Sequence, residues 1–82
     1  MKTSAIHSII IRVRMQNDSE TLSQLLSTIG DLGGQVGAID ITKVDDEMIT
    51  RDITINTSGE DHVHKITTAL EASDAVELRH MS

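Results

Sequence analysis

Four histidines, a run of three carboxylates and a cluster of glycines are the residues in this chain whose types and spacing invite chemistry. His62 and His64 stand two apart in a segment of helical periodicity, so their rings point in different directions and do not share an ion. His7 and His80 lie near opposite ends of the chain, and antiparallel pairing of the first and last strands is expected to make them neighbours. Without a third ligand they offer an adventitious Zn²⁺ or Ni²⁺ site only, so no metal and no cofactor is expected. Asp45, Asp46 and Glu47 read as a solvated acidic turn rather than a Ca²⁺ loop. Gly30, Gly33, Gly34 and Gly37 end a helix and enter a strand, the reverse of a phosphate-cradling loop that leaves a strand and opens a helix. No Ser-His-Asp set or paired carboxylate stands out. The segment Asn17-Asp18-Ser19-Glu20 remains, where free backbone N–H groups at a helix start can receive a carboxylate. That is a site for recognition, not for catalysis.

These residues are positioned by a short series of elements. Residues 6–15 alternate Ile9, Ile11, Val13 and Met15 with Ile10, Arg12 and Arg14, which predicts a strand (β1) with one apolar face. Asn17 and Glu20 have capping-box spacing, with Asp18 and Ser19 as alternative caps. Leu22, Leu25, Leu26, Ile29 and Leu32 then form one helical stripe (α1), which Gly33-Gly34 stops. Residues 36–44 predict β2, with Gly37 marking a bulge or close approach. After the turn at residues 45–47, residues 48–56 predict β3 and complete a hairpin. Thr57 and Glu60 offer a second capping box before a helix (α2) whose stripe is Val63, Ile66 and Leu70, joined by Ala69 and Ser73. Asp74 breaks that pattern, and residues 75–81 predict β4.

Strand, helix, strand, strand, helix, strand, with right-handed crossovers, makes an α+β ferredoxin-like sandwich. The expected sheet is antiparallel in the order β4-β1-β3-β2, with both helices on one face. The other face carries Arg12 and Arg14, flanked by Asp52 and Glu77, and reads as a solvated polar surface in preference to a dedicated anion site. Such a face disfavours face-to-face stacking of sheets, whereas edge pairing through β2 or β4 stays open.

Composition narrows the function classes. The chain has 82 residues, no Cys, no Pro and no aromatic residue, and a formal net charge of −6. This is one domain, residues 1–82, burying roughly 60–65% of its unfolded surface, with little room for an enclosed active site. Without Phe, Tyr or Trp there is no base-stacking platform, and the acidic balance opposes a phosphate backbone, so no nucleic-acid partner is expected. Absent cysteines exclude a disulfide framework and thiolate chemistry. No apolar run approaches a membrane span, and Met1-Lys2-Thr3-Ser4 leads into no signal-peptide core, so a cytoplasmic domain without a membrane partner is the expectation.

The succession β1, Asn17-x-x-x-x-Leu22, amphipathic helix, Gly33-Gly34 and hairpin resembles the ACT domain, a small-molecule-binding regulatory module. More narrowly, Gly37-Ala38-Ile39-Asp40-Ile41 and Arg51-Asp52-Ile53-Thr54-Ile55 resemble the N-terminal ACT domain of bacterial NAD-dependent malic enzymes, a likeness that runs from about Ser8 to Ser82. The resemblance implies a non-catalytic allosteric domain of a larger enzyme, whose separate catalytic domain oxidatively decarboxylates malate, and a homodimer. It also implies that an amino acid or organic acid binds where the β1–α1 loop of one copy meets a strand of the other. The implied effector residues are Asn17, Asp18, Ser19 and Glu20, with Gly37 and Ala38 contributed by the partner. One departure stands out: the family carries Pro-Gly where Ser19 and Glu20 stand. Glu20 adds bulk and negative charge there and repels an amino-acid carboxylate unless it turns away. A structural dimerisation module with a decayed effector site is the alternative, and an acylphosphatase-type hydrolase is disfavoured because no Arg-rich anion loop is present.

Overall fold

A computed structural model describes residues 7–82; Ile6, expected to open β1, and the leading residues 1–4 lie outside the described residues. The elements are β1 His7–Gln16, α1 Ser19–Asp31, β2 Gln35–Asp45, β3 Met48–Thr57, α2 Glu60–Glu71 and β4 Val76–Met81. The strands form one antiparallel sheet in the order β2-β3-β1-β4, the arrangement expected from the sequence.

Alternation along β1 decides which side is covered. Ile9, Ile11, Val13 and Met15 are buried, together with Ile49, Ile53 and Ile55 of β3, Leu25 and Ile29 of α1, and Val63, Ile66 and Leu70 of α2. These residues form one cluster, so both helices lie on the same face of the sheet. The core is aliphatic throughout, and β-branched side chains suit it because their stiff rotamers fill a pleated surface closely. Of the α1 stripe, Leu25 and Ile29 carry the burial, while Leu22 packs against the cluster from its margin.

Gly33 and Gly34 do different work at the end of α1. Gly33 takes φ +85°, and its N–H bonds the Gly30 carbonyl at 2.9 Å while the Gly34 N–H bonds the Ile29 carbonyl at 2.9 Å. This is the Schellman pattern, which needs a left-handed residue that glycine supplies without a Cβ clash. Gly34 is required by packing: a Cβ there would meet Ile29 Cγ2 at 2.8 Å, Ile66 Cδ1 at 3.0 Å and Ile55 Cγ2 at 3.1 Å. The strand therefore enters the sheet directly beneath both helices.

Two local expectations are corrected. Thr57 does not cap α2: it is buried as the last residue of β3, and its hydroxyl donates to the His7 carbonyl at 2.7 Å. Gly59 occupies the N-cap position, without a side-chain cap. Ser73 does not extend the α2 stripe, because the helix ends at Glu71 and Ser73 Oγ accepts from the Ala75 N–H at 3.2 Å.

Substitution of Gly34 by Ala is expected to destabilise the fold by about 1–3 kcal/mol through overpacking. Gly30→Ala, at an exposed helical position with no heavy atom within 4 Å of the new Cβ, should instead raise stability by up to about 1 kcal/mol. Urea unfolding of the two variants checks the pair.

Candidate functional site

The β1–α1 loop is built around one carboxylate. Asp18 is extended, at φ −141° and ψ 161°, and its Oδ1 accepts from the Thr21 N–H at 2.7 Å. That hydrogen bond holds the Asp18 carboxyl below its ordinary pKa. The capping box of Asn17 with Glu20 does not form. The Asn17 N–H donates to the Glu47 carbonyl at 2.8 Å, which ties the loop to the β2–β3 turn and leaves no free donor for Glu20 to meet. With Asp18 as cap, the third helical position is Thr21, which has no carboxylate to return. Glu20 lies along the helix, where Oε1 accepts from Gln24 Nε2 at 3.5 Å.

The position that would receive an anion is thus occupied by the chain's own carboxylate. Glu20 and the turn residues Asp45, Asp46 and Glu47 are all exposed at the same end of the sheet. Asp46 carries the turn at φ 57°, a left-handed conformation that Asp tolerates better than most residues.

Gly37 and Ala38 are exposed in the register shift between Val36 and Ile39, so the bulge expected at Gly37 is present. Ile53 pairs with both Ile11 and Ile39, whereas Met48 pairs with both Gln16 and Asp45. Gly37 and Ala38 consequently sit roughly 20 Å along the strands from the β1–α1 loop of the same chain, counting strand rise. The structure gathers Asn17, Asp18, Ser19 and Glu20 beside the turn and leaves the β2 pair at the far end.

The histidines are dispersed. His80 pairs with Arg12, and Ser82 exchanges backbone bonds with Ile10, so short β4 covers only the later half of β1. His7 pairs with Thr57 instead, and the expected His7–His80 neighbourhood is not formed. His62 joins the two helices: Nδ1 accepts from the Ser58 N–H at 2.9 Å, so Nε2 carries the proton and donates to the Leu32 carbonyl at 2.7 Å. Among the described residues no group of three His, Asp or Glu could hold a metal ion, and no helix is long and apolar enough to cross a membrane.

On the open face Arg12 meets Asp52 through both carboxylate oxygens, at 2.8 and 3.0 Å. This bidentate contact lowers the Asp52 pKa and raises that of Arg12. Glu77 stands opposite Arg14 as expected, and its carboxylate accepts from Arg79 at 3.3 Å. Arg51 occupies a position that the sequence pattern leaves unmarked. Its Nε is buried without a hydrogen-bond partner among the described residues, on the helix side of the sheet opposite Val13 and Ile41. A cation at an inward position between Ile49 and Ile53 was the available signal, since burying such a group is costly.

No protein-family model and no curated protein sequence matches the chain. Solved structures do. The ACT domain from a GTP pyrophosphokinase of Chlorobium tepidum superposes with a TM-score of 0.70 at 14% identity, over 95% of this chain and 97% of that one. A formyltetrahydrofolate deformylase from Burkholderia mallei gives 0.70 at 8% identity, over 92% of this chain. A homoserine dehydrogenase from Thiobacillus denitrificans gives 0.69 at 19%, over 96% of this chain. This chain spans only 27% and 17% of those two enzymes, respectively. The fold is therefore the βαββαβ ACT fold, which recurs within metabolic enzymes.

Asp18 and Asp52 have folded pKa values below their unfolded ones, so the stability they supply is complete above the ordinary carboxylate range at pH ~4 and is lost as pH falls through their lower folded values. Urea midpoints measured from pH 7 to pH 2 should fall on acidification, and the Asp18→Asn/Asp52→Asn variant should show a shallower fall.

Proposed function

We propose that this chain is an ACT-type regulatory module that pairs with a second copy along β2 and binds a small amino-bearing effector at that junction. The observation that carries the reading is the free edge of the sheet. β2 is eleven residues long, and Ile41 and Val44 are each 59% exposed along it. Their pairings with Arg51 and Ile49 set both on the helix side of the sheet. An apolar strip on an unpaired edge favours a partner strand. Antiparallel pairing about the middle of β2 carries Gly37 and Ala38 of one copy toward the end at which the other copy's Asn17, Asp18, Ser19 and Glu20 lie. The separation within one chain then ceases to be an obstacle.

The electrostatics favour one effector class. Asp18, Glu20 and the acidic turn make this end of the domain negative, so an ammonium group is attracted and a plain organic acid is repelled. An amino acid fits better than its deaminated analogue. The resemblance of the Gly37-to-Ile41 and Arg51-to-Ile55 segments to bacterial NAD-dependent malic enzymes supports such an enzyme as the parent, with catalysis residing in a separate domain and this module non-catalytic on its own. Coupling between effector and enzyme of the usual size is about 1–3 kcal/mol.

Two measurements test the reading. Sedimentation equilibrium should give a dimer, and Ile41→Asp/Val44→Asp should shift it to monomer while leaving the circular dichroism unchanged. Calorimetric titration with a panel of amino acids and their deaminated analogues should yield heat for an amino acid only. A dimer without heat from any of them favours the structural module with a decayed effector site. A strict monomer at high concentration contradicts both.

A further inference from the structure

The uncovered face of the sheet gathers positive charge in a chain whose net charge is −6. Arg12, Arg14, Lys43 and Arg79 line one basin of about 490 Å³, with the hydroxyl-bearing Thr42 and Thr50 between them. These are four of the chain's seven Lys and Arg residues. The pairing explains how they meet. Lys43 stands opposite Thr50, Thr50 opposite Arg14 and Arg14 opposite Glu77, which forms a row across all four strands. The register shift between the Arg12–His80 and Val13–Leu78 pairs leaves Arg79 as the extra residue on β4, beside that row.

The carboxylates that border the basin do not neutralise it evenly. Asp52 is taken up by Arg12, and Glu77, opposite Arg14, makes a single 3.3 Å contact with Arg79, an exposed pair that is easily exchanged, while Asp45 lies two residues beyond Lys43 on β2. Asp40 stands opposite Asp52, one row away. Among the described residues, Arg14 and Lys43 make no salt bridge, and Arg14 is half-buried. Clustered cations repel one another and raise the local potential felt by an incoming anion. The guanidinium of Arg14 offers a planar fork that matches an oxyanion, Lys43 supplies a point charge, and the threonine hydroxyls can add neutral donors.

We propose that this basin is a second ligand site, for a compact anion carrying two or more oxyanion groups, phosphate or carboxylate. Lys43 and Arg14 are two strands apart, about 10 Å between backbones from the usual strand spacing, which suits a ligand with charge at both ends. The chain contains no aromatic residue on which a base could stack, so recognition rests on charge. The site lies within a single chain, on the face away from the helices, and its failure would leave the regulatory reading standing.

Titration of the full chain with inorganic pyrophosphate and, separately, citrate at physiological ionic strength tests this, with binding followed by calorimetry and by amide shifts of β1 and β2. Saturable one-to-one binding of at least one probe is expected, and the preferred probe identifies the oxyanion as phosphate or carboxylate. Arg14→Gln and Lys43→Gln should each weaken it by about tenfold or more, as loss of a charge-assisted contact implies. Lys65→Gln, which removes a cation outside the basin, should leave it unchanged. Lys43 is exposed, so its variant remains informative if Arg14→Gln does not fold. Absence of saturation with both probes overturns the proposal, as does equal weakening by all three substitutions, which would mark general charge screening.

Discussion

The row Ile9, Ile11, Val13 and Met15 on central strand β1 is the contact on which the remaining structure depends. It touches β3 on one side, β4 on the other and both helices above, and all four residues are at most 5% exposed. A domain of this size has little surplus stability, so a central aliphatic row of this kind carries much of the burial. Because strand side chains alternate, the same row forces Arg12 and Arg14 onto the opposite face. It also sets where β1 ends, and with it the place at which Asp18 opens α1 and Asn17 meets the turn. Core, open face and loop are thus three consequences of one register.

Much of this was legible in the residues. The period-two run of β1, the α1 stripe closed by Gly33-Gly34 and the acidic hairpin turn were enough for element order and sheet topology, because burial of apolar faces leaves few alternatives. What escaped the sequence were details set by long-range partners. Asn17 lost its expected cap role because its N–H is claimed by Glu47, thirty positions away. Thr57 was drawn into the strand by the His7 carbonyl. His80 missed His7 because β4 is short and bulged. The expectation that Glu77 flanks Arg14 holds, since the two are cross-strand partners, although the Glu77 carboxylate turns along its own strand to bond Arg79. The candidate loop residues could be read as a group, whereas the approach of Gly37 and Ala38 to them is a question of a second chain.

Charge is segregated in the folded molecule in a way that composition conceals. Carboxylates collect at the β1–α1 loop and the hairpin turn, and four cations collect on the open face, where Lys43 lies only two residues from Asp45, so charges of opposite sign sit on adjoining surfaces of one small sheet. This division suits a module that reads more than one chemical signal. An ammonium-bearing ligand and a polyanion would approach different surfaces without competing. The β2 edge borders both, with its exposed Ile41 and Val44 available for a second copy.

Assembly through β2 is the central claim, and amide hydrogen exchange along that strand tests it most directly. The β2 N–H groups that make no bond to β3 should gain protection as protein concentration rises, and should lose it in the Ile41→Asp/Val44→Asp variant. Exchange of those amides at the rate of free, solvated backbone at every concentration would contradict the account.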